Sequence, residues 1–252
     1  MRQSLVGGLP AKSRGFLPRR NDTRLAKEKV MRRLLLVATL GVLAATVAGA
    51  DESPKEKVVF EERFAGGLGK GWSWLREEPK AWKVEEGALV LRILPGYLHA
   101  KYNDSKNVLL RPLPKSDRPL AVEAHVEGEP KVQYEHAGLV WYIDDDNYVS
   151  LVQEVLDGKV QLQMVTEKDG KPRFAVAEHG AKGVWMRLVV SGGKISTQYK
   201  ASEKEEWKVV GQSDVPARGA ARVGVMAGGA PKEAERYVRF RAFRIVELAG
   251  EK

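Results

Sequence analysis

The chain of 252 residues contains no cysteine. Disulfides, thiolate metal sites, a cysteine nucleophile and a lipidated N-terminal Cys are excluded with it. Histidine is scarce: His99, His125, His136 and His179 are scattered, without the HxH or HExxH spacing of a zinc centre. Gly66-Gly67-Leu68-Gly69 lacks the strand-to-helix setting of a nucleotide loop and reads as a turn, and no G-x-x-x-x-G-K-[ST] occurs. No serine occupies a G-x-S-x-G elbow, so an esterase has no support. The sequence implies no cofactor and no bound metal.

Charge of one sign is confined to one end. The formal net charge is +9, yet residues 1–50 hold ten Lys/Arg against two Asp/Glu, which leaves the rest almost neutral. A basic footprint limited to a leader is no evidence for phosphate binding by a folded domain, so a nucleic-acid partner is not expected.

Long apolar runs are also rare. The one candidate, Leu34–Val47, holds fourteen uncharged residues between Met31-Arg32-Arg33 and Ala48-Gly49-Ala50. A basic start, a short apolar core and an A-x-A end describe a secretory signal peptide, and the run is shorter than the roughly twenty residues that span a bilayer. The expectation is a gene-start extension at 1–30, a signal peptide at 31–50 cleaved after Ala50, a linker at 51–57 and one domain at 58–247. The mature protein would then be secreted or periplasmic, with no membrane attachment. An uncleaved anchor with a basic tail is the alternative.

From Val58 onward helical periodicity is almost absent, and short β-like runs alternate with turn signals. The expected strands are 57–63, 87–94, 106–113, 119–128, 134–143, 147–156, 158–167, 172–179, 183–191, 194–201, 206–213, 221–228 and 235–247. Asp157-Gly158, Asp169-Gly170 and Gly192-Gly193 predict tight hairpins. Such spacing argues for one large antiparallel sandwich. In the last run Arg239, Arg241 and Arg244 interleave with apolar residues and read as a solvated face that discourages edge pairing.

The stretch Tyr134–Val155 organises the rest. Ala137, Leu139, Trp141 and Ile143 fall on one face of its first strand and Gly138, Val140 and Tyr142 on the other, so the strand belongs inside a sheet. Asp144-Asp145-Asp146-Asn147 lacks the spacing of a calcium loop and reads as a hairpin turn.

Several segments resemble a known family when taken in order. They are Gly71-Trp72-Ser73-Trp74-Leu75-Arg76-Glu77-Glu78-Pro79, Trp82 to Leu89, Asn107 to Arg111, Glu135-His136-Ala137-Gly138-Leu139, Asp145-Asp146-Asn147-Tyr148, Trp185 to Leu188 and Trp207 to Gly211. Together they look like the C-terminal β-sandwich of family 43 β-xylosidases and a related regulation-of-enolase-like family of unknown function. The resemblance implies a concanavalin A-like jelly roll of two antiparallel sheets with one concave face, in a role of carbohydrate contact or support. Similar members often hold a structural calcium between an acidic residue near the first strand and an Asp in the last. Here Glu62 stands at the first position and arginines at the second, which implies that the site is lost. His136 stands where many relatives have Gln.

Two readings of the polar residues stay open. Glu135 and Glu154 could meet as a glycosidase pair, which requires two carboxylates about 5 Å apart, or serve as partners for Arg76, Arg111 or His136. The E-x-D-x-x-E motif of laminarinase-like hydrolases is missing, Glu167-Lys168-Asp169 being its nearest start. Among the aromatics, Trp141, Trp185 and Trp207 are expected to pack, with Trp74, Trp82, Tyr97 or Tyr102 better placed to meet a sugar. The segment Pro95–Lys106 reads as a long loop over the sheet, suited to specificity. The favoured function is a secreted, non-catalytic carbohydrate-binding module for a poly- or oligosaccharide. Its concave face would present Trp74, Arg76, Glu77, Asn107 and Arg111 together with Glu135, His136, Tyr148 and Glu154. A glycoside hydrolase and a structural or protein-interaction domain are the alternatives.

Overall fold

The computed structural model describes residues 56–99, 101–179, 182–215 and 221–249. The expected extension and signal peptide lie outside them. The first strands are β1 (Lys57–Glu62), β2 (Ser73–Leu75), β3 (Trp82–Glu85), β4 (Ala88–Arg92), β5 (Val108–Pro112), β6 (Leu120–Glu127), β7 (His136–Asp144) and β8 (Asn147–Leu156). They are followed by β9 (Lys159–Lys168), β10 (Lys171–Glu178), β11 (Gly183–Ser191), β12 (Lys194–Lys200), β13 (Lys208–Asp214), β14 (Arg222–Gly228) and β15 (Tyr237–Glu247). A single 3-10 turn, Pro79–Ala81, interrupts them among the described residues.

Two antiparallel sheets form a sandwich. One runs β13-β12-β11-β6-β15-β4-β3 with β1 also on β15; the other runs β10-β9-β8-β7-β14-β5-β2. Period-2 alternation sends one face of each sheet inward. Leu139, Trp141, Leu151 and Met164 thereby meet Val122, Met186, Leu188 and Phe240 in a common core. At about 1.5–3 kcal/mol for each fully buried large apolar side chain, this layer is the main source of stability in a chain without disulfides.

The expected hairpins are present. Asp157 and Gly158, Asp169 and Gly170, and Gly192 and Gly193 all have positive φ, as a two-residue turn that matches strand twist requires. Strand β7 lies between β8 and β14, so neither edge is free, and its residues are buried on both faces, as its apolar alternation requires. Two strands escape the sequence pattern: β2 and β3 have three and four residues, too few to show alternation.

The arginines of β15 require a correction. This strand is no edge: it pairs with β6 along its length and with β4 and β1 in succession on its other side. Between Arg241 and Arg244 a bulge shifts the register, with Ala242 at φ 51°. The extra residue resets alternation, so Phe240 and Phe243 both enter the core. The arginines stay on the outer face and form ion pairs: Arg239 with Glu85 and Glu86, Arg241 with Glu127, and Arg244 with Glu123. Glu123 is nearly fully buried and is also held by Arg187. Trp207 belongs to this outer face rather than to the core, with Arg187 and Lys200 over its ring.

The seven-stranded sheet has a second apolar face. Val108, Leu110, Val140, Tyr148, Val152, Val165 and Met226 point outward, with Leu98 packed on them from a loop. This second face positions the site.

Candidate functional site

A cleft of about 460 Å³ lies on that outer face. Its floor is β8, where Tyr148, Ser150, Val152, Glu154 and Leu156 face the cleft at alternate positions. His136 of β7, Gln163 and Val165 of β9, and Met226 of β14 extend the floor sideways. Phe174 of β10 and Tyr134 rise at its rim, both more than half exposed.

The remaining wall comes from residues 95–99 and 101–106, placed as expected over the sheet and contributing Tyr97, Leu98, His99 and Tyr102. Its closure is local. The Tyr97 carbonyl accepts from the Asp104 and Ser105 amides at 3.0 Å each, and the Asp104 carboxylate accepts from the Tyr97 amide at 2.9 Å. Gly229 N–H donates to the Gly96 carbonyl at 3.1 Å, and Asn103 donates to Asp146 at 3.4 Å, fixing the loop to β14 and to the β7–β8 turn. A Cβ on Gly228 would fall 2.6 Å from the Gly96 oxygen and 3.1 Å from His136 Nε2, so only glycine lets loop and imidazole approach this closely. The aromatic rings contact one another: Tyr97 lies 5.8 Å from His136 and from Tyr102, and His99 lies 6.3 Å from Phe174.

Three ionisable groups at the floor are displaced from their ordinary behaviour. Burial raises the Glu154 carboxyl to about 7. That group is 7% exposed, and no hydrogen bond or ion pair reaches it from the described residues. His136 is its cross-strand neighbour. Burial lowers the imidazole, so it is neutral near pH 7. Its Nδ1 lies 2.9 Å from the Tyr134 carbonyl. A carbonyl only accepts, so Nδ1 carries the proton and Nε2 is left as an acceptor. Tyr148 donates to buried Glu167, and its hydroxyl is raised, first by burial and then by the charge of Glu167.

Only three of the nine residues expected on the concave face line the cleft: His136, Tyr148 and Glu154. Glu135 precedes His136 and turns the other way. Its carboxylate is fully buried, ion-paired to Arg236 at 2.7 Å and accepting from the Lys131 and Val132 amides. It therefore does not pair with Glu154, and its cation is not one of those expected. Arg76 makes a two-pronged contact to Asp145 at 2.9 and 3.0 Å and donates to the Ser105 carbonyl. Asn107 is buried and clasps the backbone of Glu78 through both its amide atoms. Trp74 packs on Trp82 with ring centroids 4.8 Å apart, and Glu77 accepts from the Trp82 indole N–H. Arg111 points to the inter-sheet side, its guanidinium 3.1 Å from the centre of the Phe60 ring. Glu62 accepts from the Phe64 and Gly69 amides and the Trp72 indole, which ties down the loop after β1.

The acidic turn divides its labour. Asp144 caps the turn by accepting from the Asp146 amide and Asn147, Asp145 anchors Arg76 and the Tyr142 hydroxyl, and Asp146 accepts from Asn103.

A sequence model of the family described as "Protein of unknown function (DUF1349)" matches residues 74–248. The chain belongs to this family. It is 30% identical over 107 residues to "Regulation of enolase protein 1" of Saccharomyces cerevisiae, a match that covers 42% of the chain and 53% of that relative, about half its length. A functionally unknown protein of S. cerevisiae shares the fold with a TM-score of 0.59 and 22% identity, over 71% of this chain and 98% of that one. The family 43 protein BlXynB of Bacillus licheniformis does so with a TM-score of 0.66 and 19% identity, over 75% of this chain and 39% of that one.

Within the family resemblance, A-G-L acquires a physical meaning. A Cβ on Gly138 would lie 2.0 Å from the Leu151 carbonyl oxygen, so β7 and β8 approach too closely there for any side chain. The polar and aromatic cleft residues that the sequence pattern did not nominate are Tyr134, His99, Ser150, Gln163 and Phe174. Phe174 had a signal: with Val176 it is an apolar residue on the outward face of edge strand β10, and both are about half exposed. Tyr134 and His99 stand in irregular segments where alternation assigns no face.

The arrangement offers flat aromatic faces, one acceptor nitrogen, amide and hydroxyl groups from Gln163 and Ser150, and one acid that is half-protonated near pH 7. Of the described residues that line it, none is a Lys or Arg.

Proposed function

We propose that this family member is an exported, non-catalytic carbohydrate-binding module with a concanavalin-type jelly-roll fold, and that the cleft between β8 and the 95–106 loop is its sugar site. One observation carries the reading: exposed faces of Tyr102, Tyr134 and Phe174 converge with Glu154, His136 Nε2 and Gln163 in one preformed cleft. A sugar ring has an apolar C–H face that stacks on aromatic rings and hydroxyls that seek such polar groups. The folds of family 43 proteins support the reading as a likeness of architecture. The leader expected at 31–50 supports export.

Glycoside cleavage has less support. It needs two carboxylic acids across the scissile bond, whereas Glu154 is the single carboxylic acid among the described residues lining the cleft. Glu135 is committed to Arg236.

A glycan-array screen with reducing-end product analysis tests the proposal. Binding without product release is expected. Product release would establish an enzyme instead, and neither binding nor products would overturn both carbohydrate readings.

A further inference from the structure

The cleft holds an acid without a counter-ion among the described residues. The Glu154 carboxyl is more than nine-tenths buried and meets no donor among the described residues. The groups around it come from every packed element: cross-strand His136 from β7, Tyr148 from β8 with Glu167 behind it, Gln161 and Gln163 from β9, and Tyr97, His99, Tyr102 and Tyr134 from the loops. None is a fixed cation, and neutral His136 presents an acceptor. At the rim, Lys101 Nζ lies 5.7 Å from the Tyr102 ring centre, but burial is the only cause acting on Glu154. An ionised Glu154 is thus a buried negative charge that no described residue neutralises.

The surrounding faces are those that attract an ammonium ion. Tyr97, Tyr102, Tyr134 and Phe174 offer aromatic rings, whose negative faces bind cations most strongly when water is excluded. Lys101 over Tyr102 shows one of these rings already serving in that way. Aromatic faces with a lone carboxylate beneath them match a cation carried on an apolar-faced scaffold.

Resting on the carbohydrate reading of the same cleft, we propose that its ligand is an amino sugar with a free, protonated amine, seated on Glu154 between the aromatic rings. A neutral sugar leaves the acid protonated or uncompensated. A cationic one supplies the missing charge, and no covalent step is involved. Because the ammonium favours the ionised acid, binding below pH 7 releases a proton from Glu154, and affinity rises with pH until the amine itself loses its charge.

Calorimetric titration of the full-length protein with glucosamine oligosaccharides, N-acetylglucosamine oligosaccharides of equal length and xylo-oligosaccharides tests this. The amine form should bind at least about tenfold more tightly than the acetylated form at pH 6.5, with a buffer-dependent heat that reports the released proton. Glu154→Gln should abolish both the preference and the proton release while retaining weak binding of the acetylated form. That variant removes an uncompensated buried charge, so it folds. Equal or tighter binding of the acetylated or xylose ligands would overturn the amino-sugar assignment and leave the carbohydrate reading intact. No binding of any of the three would overturn both.

Discussion

His136 and Glu154 face each other across the β7–β8 ladder, and near neutral pH burial leaves the imidazole neutral and the acid half-protonated. A histidine beside a carboxylate ordinarily forms an ion pair. Here the imidazole has turned its one N–H to the Tyr134 carbonyl, and no hydrogen bond or ion pair from the described residues reaches the acid.

Glu154 should therefore impose a pH-dependent cost on stability. Its folded value of about 7 lies above the ordinary 4.5, so the native state holds the proton more tightly. Below pH 4.5 both states are protonated and there is no cost. Stability falls as pH rises through this window, by up to about 3 kcal/mol at 1.36 kcal/mol per unit. Glu154→Gln is expected to raise Tm by several degrees at pH 8 and to leave it unchanged at pH 4, as measured by calorimetry. An equal Tm for the two proteins at pH 8 would contradict the assignment.

Phe174→Ala and Tyr102→Ala remove exposed rings at the rim. Each should weaken glycan binding by about tenfold while shifting the urea midpoint little, because neither ring is in the core. A large loss of stability would mean that these rings hold the fold together.

Arg236→Met leaves the Glu135 carboxylate buried with two backbone amides and no cation. The expected loss is about 3–5 kcal/mol in denaturant unfolding. Removing both partners, Glu135→Gln with Arg236→Met, should recover much of it, which distinguishes a charge effect from lost packing.

Gly138→Ala puts a methyl group 2.0 Å from the Leu151 carbonyl oxygen, on backbone that cannot move without unpairing β7 from β8. A loss of at least about 2 kcal/mol is expected. Gly158→Ala, whose methyl group would meet nothing within 4 Å, carries only the strain of φ +76° and should cost less.

Where local chemistry determines the outcome, it could be read from sequence. Thirteen strands and three hairpin turns follow from period-2 alternation and from Asp-Gly and Gly-Gly pairs, which act within a few residues. Arg239, Arg241 and Arg244 are legible as an outer face but not as ion pairs, because alternation reveals which face a residue takes, not which strand lies alongside; Glu85, Glu123 and Glu127 come from far along the chain. The same distance hid the partner of Glu135, which is 101 positions away. His136, Tyr148 and Glu154 were legible as polar intrusions in a doubly apolar hairpin. Tyr134 and Phe174 depended on which loop would fold over which strand.

The pairing of β1 with β15 has a consequence for how the chain folds. Lys57 meets Glu247 and Glu62 meets Phe243, so the eight-stranded sheet joins segments from opposite ends of the domain. Contacts at such separation incur nearly the full loop-closure entropy before they return any stabilisation, and they make folding slow. Ribosome-bound chain cannot complete this sheet until Glu247 has emerged. Until then the exposed strands of the partly made domain are the state that chaperones and proteases encounter.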